Sequence, residues 1–187
     1  MTRDKLSYQF EKIKKSNSPE GPRFGRKTSR MGATGYFTHP QCMKHEMGAG
    51  HPECPERLSA IEDRLLVTGL DMALQRREAG PAALADIELA HGRMHVAALR
   101  GLSDVLRDDV AAGGPSHTAL DSDTSINVHT WEAALVSAGA AIEATDAVMA
   151  GELENAFCAT RPPGHHACRD KAMGFCFFNN VAIAAKH

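Results

Sequence analysis

The chain has 187 residues, 43% hydrophobic and 24% charged, with a formal net charge of −2, a globular balance that excludes fibrous and wholly disordered classes. No run approaches the roughly eighteen apolar residues of a membrane-spanning helix, since even the Ala-rich stretch around Ala140 carries Glu143 and Asp146. Five scattered cysteines without a CxxC pair argue against a secreted disulfide framework and for a reducing, cytoplasmic compartment.

Charge divides the chain before any element does. The first 30 residues hold nine Lys and Arg against three acids, a local charge of +6, while the remaining 157 carry −8. Residues 1–31 are poor in apolar side chains and contain the loop-like run Ser16-Asn17-Ser18-Pro19-Glu20-Gly21-Pro22. They read as a leader predicted to be disordered, or as an over-extended gene start with Met31 the true first residue. An arm for an anionic partner is a further alternative; a transit peptide fits poorly, because Lys is as common as Arg and acids are present. The acidic body gives no sign of nucleic-acid affinity.

From residue 34 the pattern alternates. Tyr36-Phe37-Thr38, closed by His39-Pro40, predicts an edge or first strand. Pro55 opens a helix with Leu58, Ile61, Leu65 and Leu66 on one face, and Gly69 ends it. Apolar spacing over residues 84–107 predicts two helical pieces broken near Gly92, followed by a Gly113-Gly114-Pro115 loop. Thr130 is the expected N-cap of a helix through Met149, with Glu132 in its first turn and Gly151 beyond its end. Phe157-Cys158-Ala159-Thr160 predicts a buried strand running into Arg161-Pro162-Pro163, and Val181–Ala185 opens a last helix. Helices between short apolar strands give an α/β class with a mainly parallel sheet. A helix opening so close to the last residue predicts that the chain stops part-way through its domain.

Chemistry concentrates in residues 161–180. Two adjacent histidines, His165 and His166, follow a strand, a Pro-Pro pair and Gly164, which places them on a stiff loop at a strand's carboxyl end, where open α/β sheets put their sites. Neighbouring imidazoles resist double protonation, so one can serve as a base beside the other. The plain alternative is a surface pair, weakened here by the apolar wall Gly174-Phe175-Cys176-Phe177-Phe178.

The run RPPGHHA…GFCFFNNVAIAA resembles the zinc-dependent histone deacetylase family, especially its class II-like and bacterial members, the deacetylase-like amidohydrolases and acetylpolyamine amidohydrolases. The resemblance spans Thr34 to His187 and includes Thr34-Gly35-Tyr36 leading to His45, His51-Pro52-Glu53-Cys54-Pro55-Glu56-Arg57, and Leu120-Asp121-Ser122-Asp123-Thr124. It implies a three-layer α/β/α, arginase/deacetylase-like fold, with residues 32–187 forming the N-terminal part of the domain and the sheet left incomplete. It implies hydrolysis of an acetyl-lysine or acetylated amine by a zinc-activated water, with His166 as general base and His165 as its electrostatic partner. Phe175 matches the ring walling the acyl-lysine tunnel, Gly174 lies beside it, and Asp123 resembles the rim acid. Asp121 is a near alternative, and a turn-forming role is open to either. Arg57 matches an arginine near the internal channel; a buried ion pair with Glu53 or Glu56 is equally open. Cys176 reads as core.

In the family the zinc ligands, an Asp-x-His pair and a second Asp, and the carbonyl-polarising tyrosine all follow the GFCFFNN block. Only Val181–His187 follows here, so no metal ligand is assigned in this chain, which is expected to be inactive alone. His39, His45 and His51 with Cys42 and Cys54 have no structural-zinc spacing. The expected partner is an acetylated protein lysine, an acetylated polyamine or another small amide. A non-catalytic binding protein is the competing class.

Overall fold

The structure, a computed structural model, describes residues 32–187; the expectations for residues 1–31 lie outside the described residues. β1 (Thr34–Thr38) buries Gly35, Tyr36 and Phe37 in succession, as a strand covered on both faces must. It is accordingly not an edge: it sits at the centre of a three-stranded parallel sheet, between β2 (Leu74–Glu78) and β5 (Asn155–Cys158). β2 reads Leu-Gln-Arg-Arg-Glu and left no apolar signature. Polar chemistry secures it instead, with Arg76 bonded to Glu62 and Asp71 and lying 4.8 Å over the Tyr36 ring. β5 begins two residues ahead of the predicted strand and is not buried, for Phe157 is 50% exposed.

The helices follow the apolar spacing closely. α1 (Glu56–Thr68) starts directly after Pro55 and ends at Gly69, whose φ of 72° reverses the chain. Leu58, Ile61 and Leu65 pack inward, whereas Leu66 is 61% exposed, so the packed face is narrower than predicted. The two expected pieces are α2 (Leu84–Ala90) and α3 (Arg93–Ala111), parted at His91-Gly92. α4 (Thr130–Met149) is rich in small residues and buried on most of its surface. Ala134, Ala138 and Ile142 enter one hydrophobic cluster, while Val136, Ala140, Ala144 and Ala147 enter another, so one helix joins both halves of the core.

Thr130 does not cap α4. Its hydroxyl accepts the Asn127 amide at 2.9 Å and donates to Asn127 Oδ1 at 3.1 Å, leaving His129 at the cap position. Between α3 and α4 lies an antiparallel ladder, β3 (His117–Ala119) and β4 (Ser125–Asn127), too short to show an alternating pattern. Its turn carries Asp121-Ser122-Asp123-Thr124. α5 (Asn180–Lys186) opens on Asn179, whose Oδ1 accepts the Ala182 amide at 3.0 Å. A mainly parallel sheet with flanking helices is the three-layer α/β/α class.

Candidate functional site

Arg57, Asp123, His165, His166, Gly174 and Phe175, drawn from four separate stretches of sequence, line one cavity of about 360 Å³ together with Pro52, Glu53 and Pro163. The two imidazoles lie on the loop that follows β5. Their ring centroids are 4.2 Å apart, tilted by 51°, and both side chains are exposed.

Facing them is a tight turn, Met173–Cys176, closed by two backbone hydrogen bonds of 3.0 and 3.1 Å between its end residues. Gly174 has φ 58° and Phe175 φ 70°, the pair of positive angles that a type I′ turn requires. At Gly174 a Cβ would stand 2.9 Å from three atoms of His166, so its glycine is demanded by both the turn and the neighbouring imidazole. Phe175 has no such licence, and a non-glycine residue there carries about 1–2 kcal/mol of strain. Two contacts hold it: its amide donates to Thr124 Oγ1 at 3.1 Å, and its ring meets His51 edge-on at 4.6 Å. The strained turn thus presents an aromatic wall beside the two histidines.

His51 also fixes the rim. Its Nδ1 accepts the Glu53 amide at 3.1 Å, leaving Nε2 to donate to the Asp123 carbonyl at 3.1 Å. Asp123 is exposed, and its Oδ1 accepts the Thr124 hydroxyl at 3.1 Å. Asp121, the alternative rim acid, does not line the cavity; it is the turn former. The Asp123 amide donates to its carboxylate at 3.0 Å and holds that carboxyl below the usual range.

The buried ion pair left open for Arg57 belongs to Arg161. Arg161 is fully buried, and its Nε and Nη2 reach the two oxygens of Glu53 at 2.6 and 2.5 Å. Its Nη1 donates to the carbonyls of Cys42 and His45 at 2.9 and 2.8 Å. Arg57 reaches the same carboxylate at 3.0 Å from a half-exposed position in the cavity wall. Reading Arg161 as the lead of a loop motif missed this, because a buried guanidinium gives no periodic signal and its partner Glu53 lies 108 residues away.

Beneath Glu53 lies His45, also fully buried, sharing a hydrogen bond with Thr130 Oγ1 at 2.9 Å. Glu53 Oε2 is 3.5 Å from its Nε2, but both carboxylate oxygens already serve Arg161. Burial and the Arg161 charge push the His45 imidazole down to about 3. Cys176, expected in the core, is fully buried there, and burial raises its thiol above the ordinary range.

Among the described residues, no three His, Cys, Asp or Glu side chains gather into a metal-holding group. Of the two carboxylates that line the cavity, Glu53 is engaged by Arg161 and Arg57, and Asp123 is the other. The side chains of the cavity therefore do not compose the four-coordinate set that zinc takes.

Residues 51–187 match the family model described as the histone deacetylase domain. The chain is 45% identical over 136 residues to the histone deacetylase-like amidohydrolase of Pseudomonas aeruginosa, an alignment covering 73% of this chain and 33% of that protein. It is 38% identical over 140 residues to the human polyamine deacetylase HDAC10, covering 73% of this chain and 20% of that one. The crystal structure of the HDA15 HD domain superposes with a TM-score of 0.73 at 31% identity, covering 82% of this chain and 42% of that domain. The chain thus spans about a third or less of the length of these two curated relatives.

Proposed function

This chain belongs to the histone deacetylase domain family, and we propose that it carries the acid–base pair and the acyl-chain slot of an amidohydrolase that releases acetate from an acetylated lysine or amine. The supporting observation is the convergence of Asp123, His165, His166, Gly174 and Phe175 on one cavity. In this reading His166 takes a proton from the water that attacks the acetyl carbonyl. It returns that proton to the nitrogen as the C–N bond breaks, yielding acetate and a free amine. His165, 4.2 Å away, is its electrostatic partner. The Phe175 ring walls a slot for a methylene chain. Asp123 at the rim accepts from substrate amides, and Arg57 lines the same cavity.

Zinc, which the family resemblance implies, would need ligands these residues do not supply, and we propose that the 187 residues are inactive alone. An acetylated polyamine is the second reading, since the exposed Asp123 carboxylate suits a cationic chain and peptide amides alike. The scattered cysteines favour the cytoplasm.

The test is acetate release from an acetyl-lysine peptide and from an acetylated diamine, with zinc supplied. No release above blank is expected from the 187 residues, and turnover by them would overturn their inactivity. Sequencing the gene across the His187 codon is the companion step. If the frame continues, the longer product is expected to release acetate and its His166→Ala variant to lose that activity. A zinc-loaded longer product without turnover on either substrate would sink the deacetylase reading.

A further inference from the structure

Behind the cavity, His91 joins the two ends of residues 169–179, the segment that carries Gly174 and Phe175 and follows closely on His165 and His166. It is 1% exposed and stands at the break between α2 and α3. Its Nε2 accepts the Asn179 amide at 2.8 Å, which leaves the proton on Nδ1 to donate to the Arg169 carbonyl at 3.1 Å. A charged ring has no lone pair to accept that amide, and a ring protonated on Nε2 would set two donors against each other. One turn later, His95 Nε2 donates to the Phe177 carbonyl at 3.0 Å. The two imidazoles are 5.3 Å apart, and Phe178 packs on His91 at 5.4 Å.

Asn179 carries the constraint onward. While its Oδ1 caps α5, its Nδ2 donates to the Ala167 carbonyl at 3.2 Å. Ala167 is the residue directly after His166, and its own amide bonds back to the Gly164 carbonyl at 3.1 Å. A path of hydrogen bonds therefore runs from a buried imidazole to the peptide beside the exposed base.

We infer that His91, as the neutral ring protonated on Nδ1, is a positioning residue: it fixes His165 and His166 against Gly174 and Phe175 through Asn179 and Ala167. The catalytic meaning of this role rests on the acid–base reading of His165 and His166, since misplacing such a pair by about 1 Å lowers turnover by about a hundredfold. The groups facing His91 are His95 from α3 and Cys168, Arg169 and Asp170 from the loop. Burial leads in holding its imidazole below the ordinary histidine range, and His95 adds to it, against the Arg169 carbonyl and Asp170.

The test is NMR of the chain with isotope-labelled histidine. His91 is expected to show the nitrogen shifts of an Nδ1-protonated ring near neutral pH, with His165 and His166 each giving one sharp set of signals. His91→Phe keeps the packing on Phe178 but has no bonding nitrogen. It is expected to split or broaden the His165 and His166 signals and to move their titration. His91→Gln, whose amide both accepts and donates, is expected to restore single sets. A folded His91→Phe with His165 and His166 signals and titration unchanged overturns the inference, as does a wild-type His91 protonated on Nε2. If His91→Phe does not fold, the wild-type tautomer and the His91→Gln spectrum decide alone, a split His165/His166 pattern in His91→Gln counting against it. Because the readout is ring position and not turnover, an absence of deacetylase activity would leave this result standing, and a failed positioning test would leave the deacetylase reading intact.

Discussion

Acid should weaken this protein through His45 well before its carboxylates protonate. The imidazole is pushed down to about 3 in the fold, against about 6.5 in the unfolded chain. Above the unfolded value both states are neutral and His45 has no effect. Below it the unfolded state binds a proton that the folded state refuses, so stability falls by about 1.4 kcal/mol per pH unit until the folded value is reached. The full loss is about 5 kcal/mol, a large share of the 5–15 kcal/mol that holds a typical domain together. Between about pH 6.5 and pH 4.5 the loss is about 2 kcal/mol, and most carboxylates are still charged there. Burial also holds His91 low, which steepens the wild-type curve in the same direction. The informative quantity is therefore a difference: urea unfolding across this window for the wild type and for His45→Gln, which cannot be protonated. The stability gap between the two is expected to shift in favour of the variant by about 1.4 kcal/mol per unit of falling pH. Parallel curves would show that His45 charges as readily in the fold as outside it, and the argument from burial would fail.

Two further perturbations follow from the same region. Arg161→Met leaves the Glu53 carboxylate in the interior, at 3% exposure, with only the half-exposed Arg57 as its charged partner, and is expected to cost about 3 kcal/mol in urea unfolding, the low end for a broken buried pair. Adding Glu53→Gln removes the stranded charge, so the double variant should lose clearly less than the sum of the singles; strict additivity in that cycle would contradict a coupled pair. Gly174→Ala forces a Cβ to 2.9 Å from the His166 side chain at a φ of 58°. A loss of about 1–2 kcal/mol is expected from the backbone conformation, together with a changed His166 ring signal by NMR. An unaltered ring signal would mean that the turn does not abut His166 in solution.

The sequence shows the site more openly than the frame beneath it. His165, His166, Gly174 and Phe175 fall within eleven consecutive residues, so their convergence needs only a turn, and the Gly-Phe pair marks where it lies. α1 through α5 were legible because their apolar spacing and glycine stops are local. β2 was not, since an edge strand held by Arg76, Glu62 and Asp71 needs no apolar alternation. β3 and β4, three residues each, are shorter than any period can reveal. Thr130 had the right chemistry for a cap, but the neighbouring Asn127 and the distant His45 claimed its hydroxyl. Arg161 and His91 lay hidden for a related reason. Each bonds mainly to backbone carbonyls and amides far away in sequence, and a carbonyl looks the same whatever residue carries it.

That property says why the frame is built from such residues. A neutral imidazole donates at one nitrogen and accepts at the other, so it can join two backbone segments at a fixed separation. His51 does this between Glu53 and Asp123, and His91 between Arg169 and Asn179. Leucine in place of His91 would fill space but leave the Asn179 amide without its partner, at about 1–3 kcal/mol for a buried group. Lysine or arginine would donate but never accept. The loop of His165 and His166, which has no sheet ladder of its own beyond isolated bridges, thus gains from bridging side chains the register that a strand gets from its neighbours. The same choice makes the frame sensitive to acid, because the accepting nitrogen is the one that a proton removes.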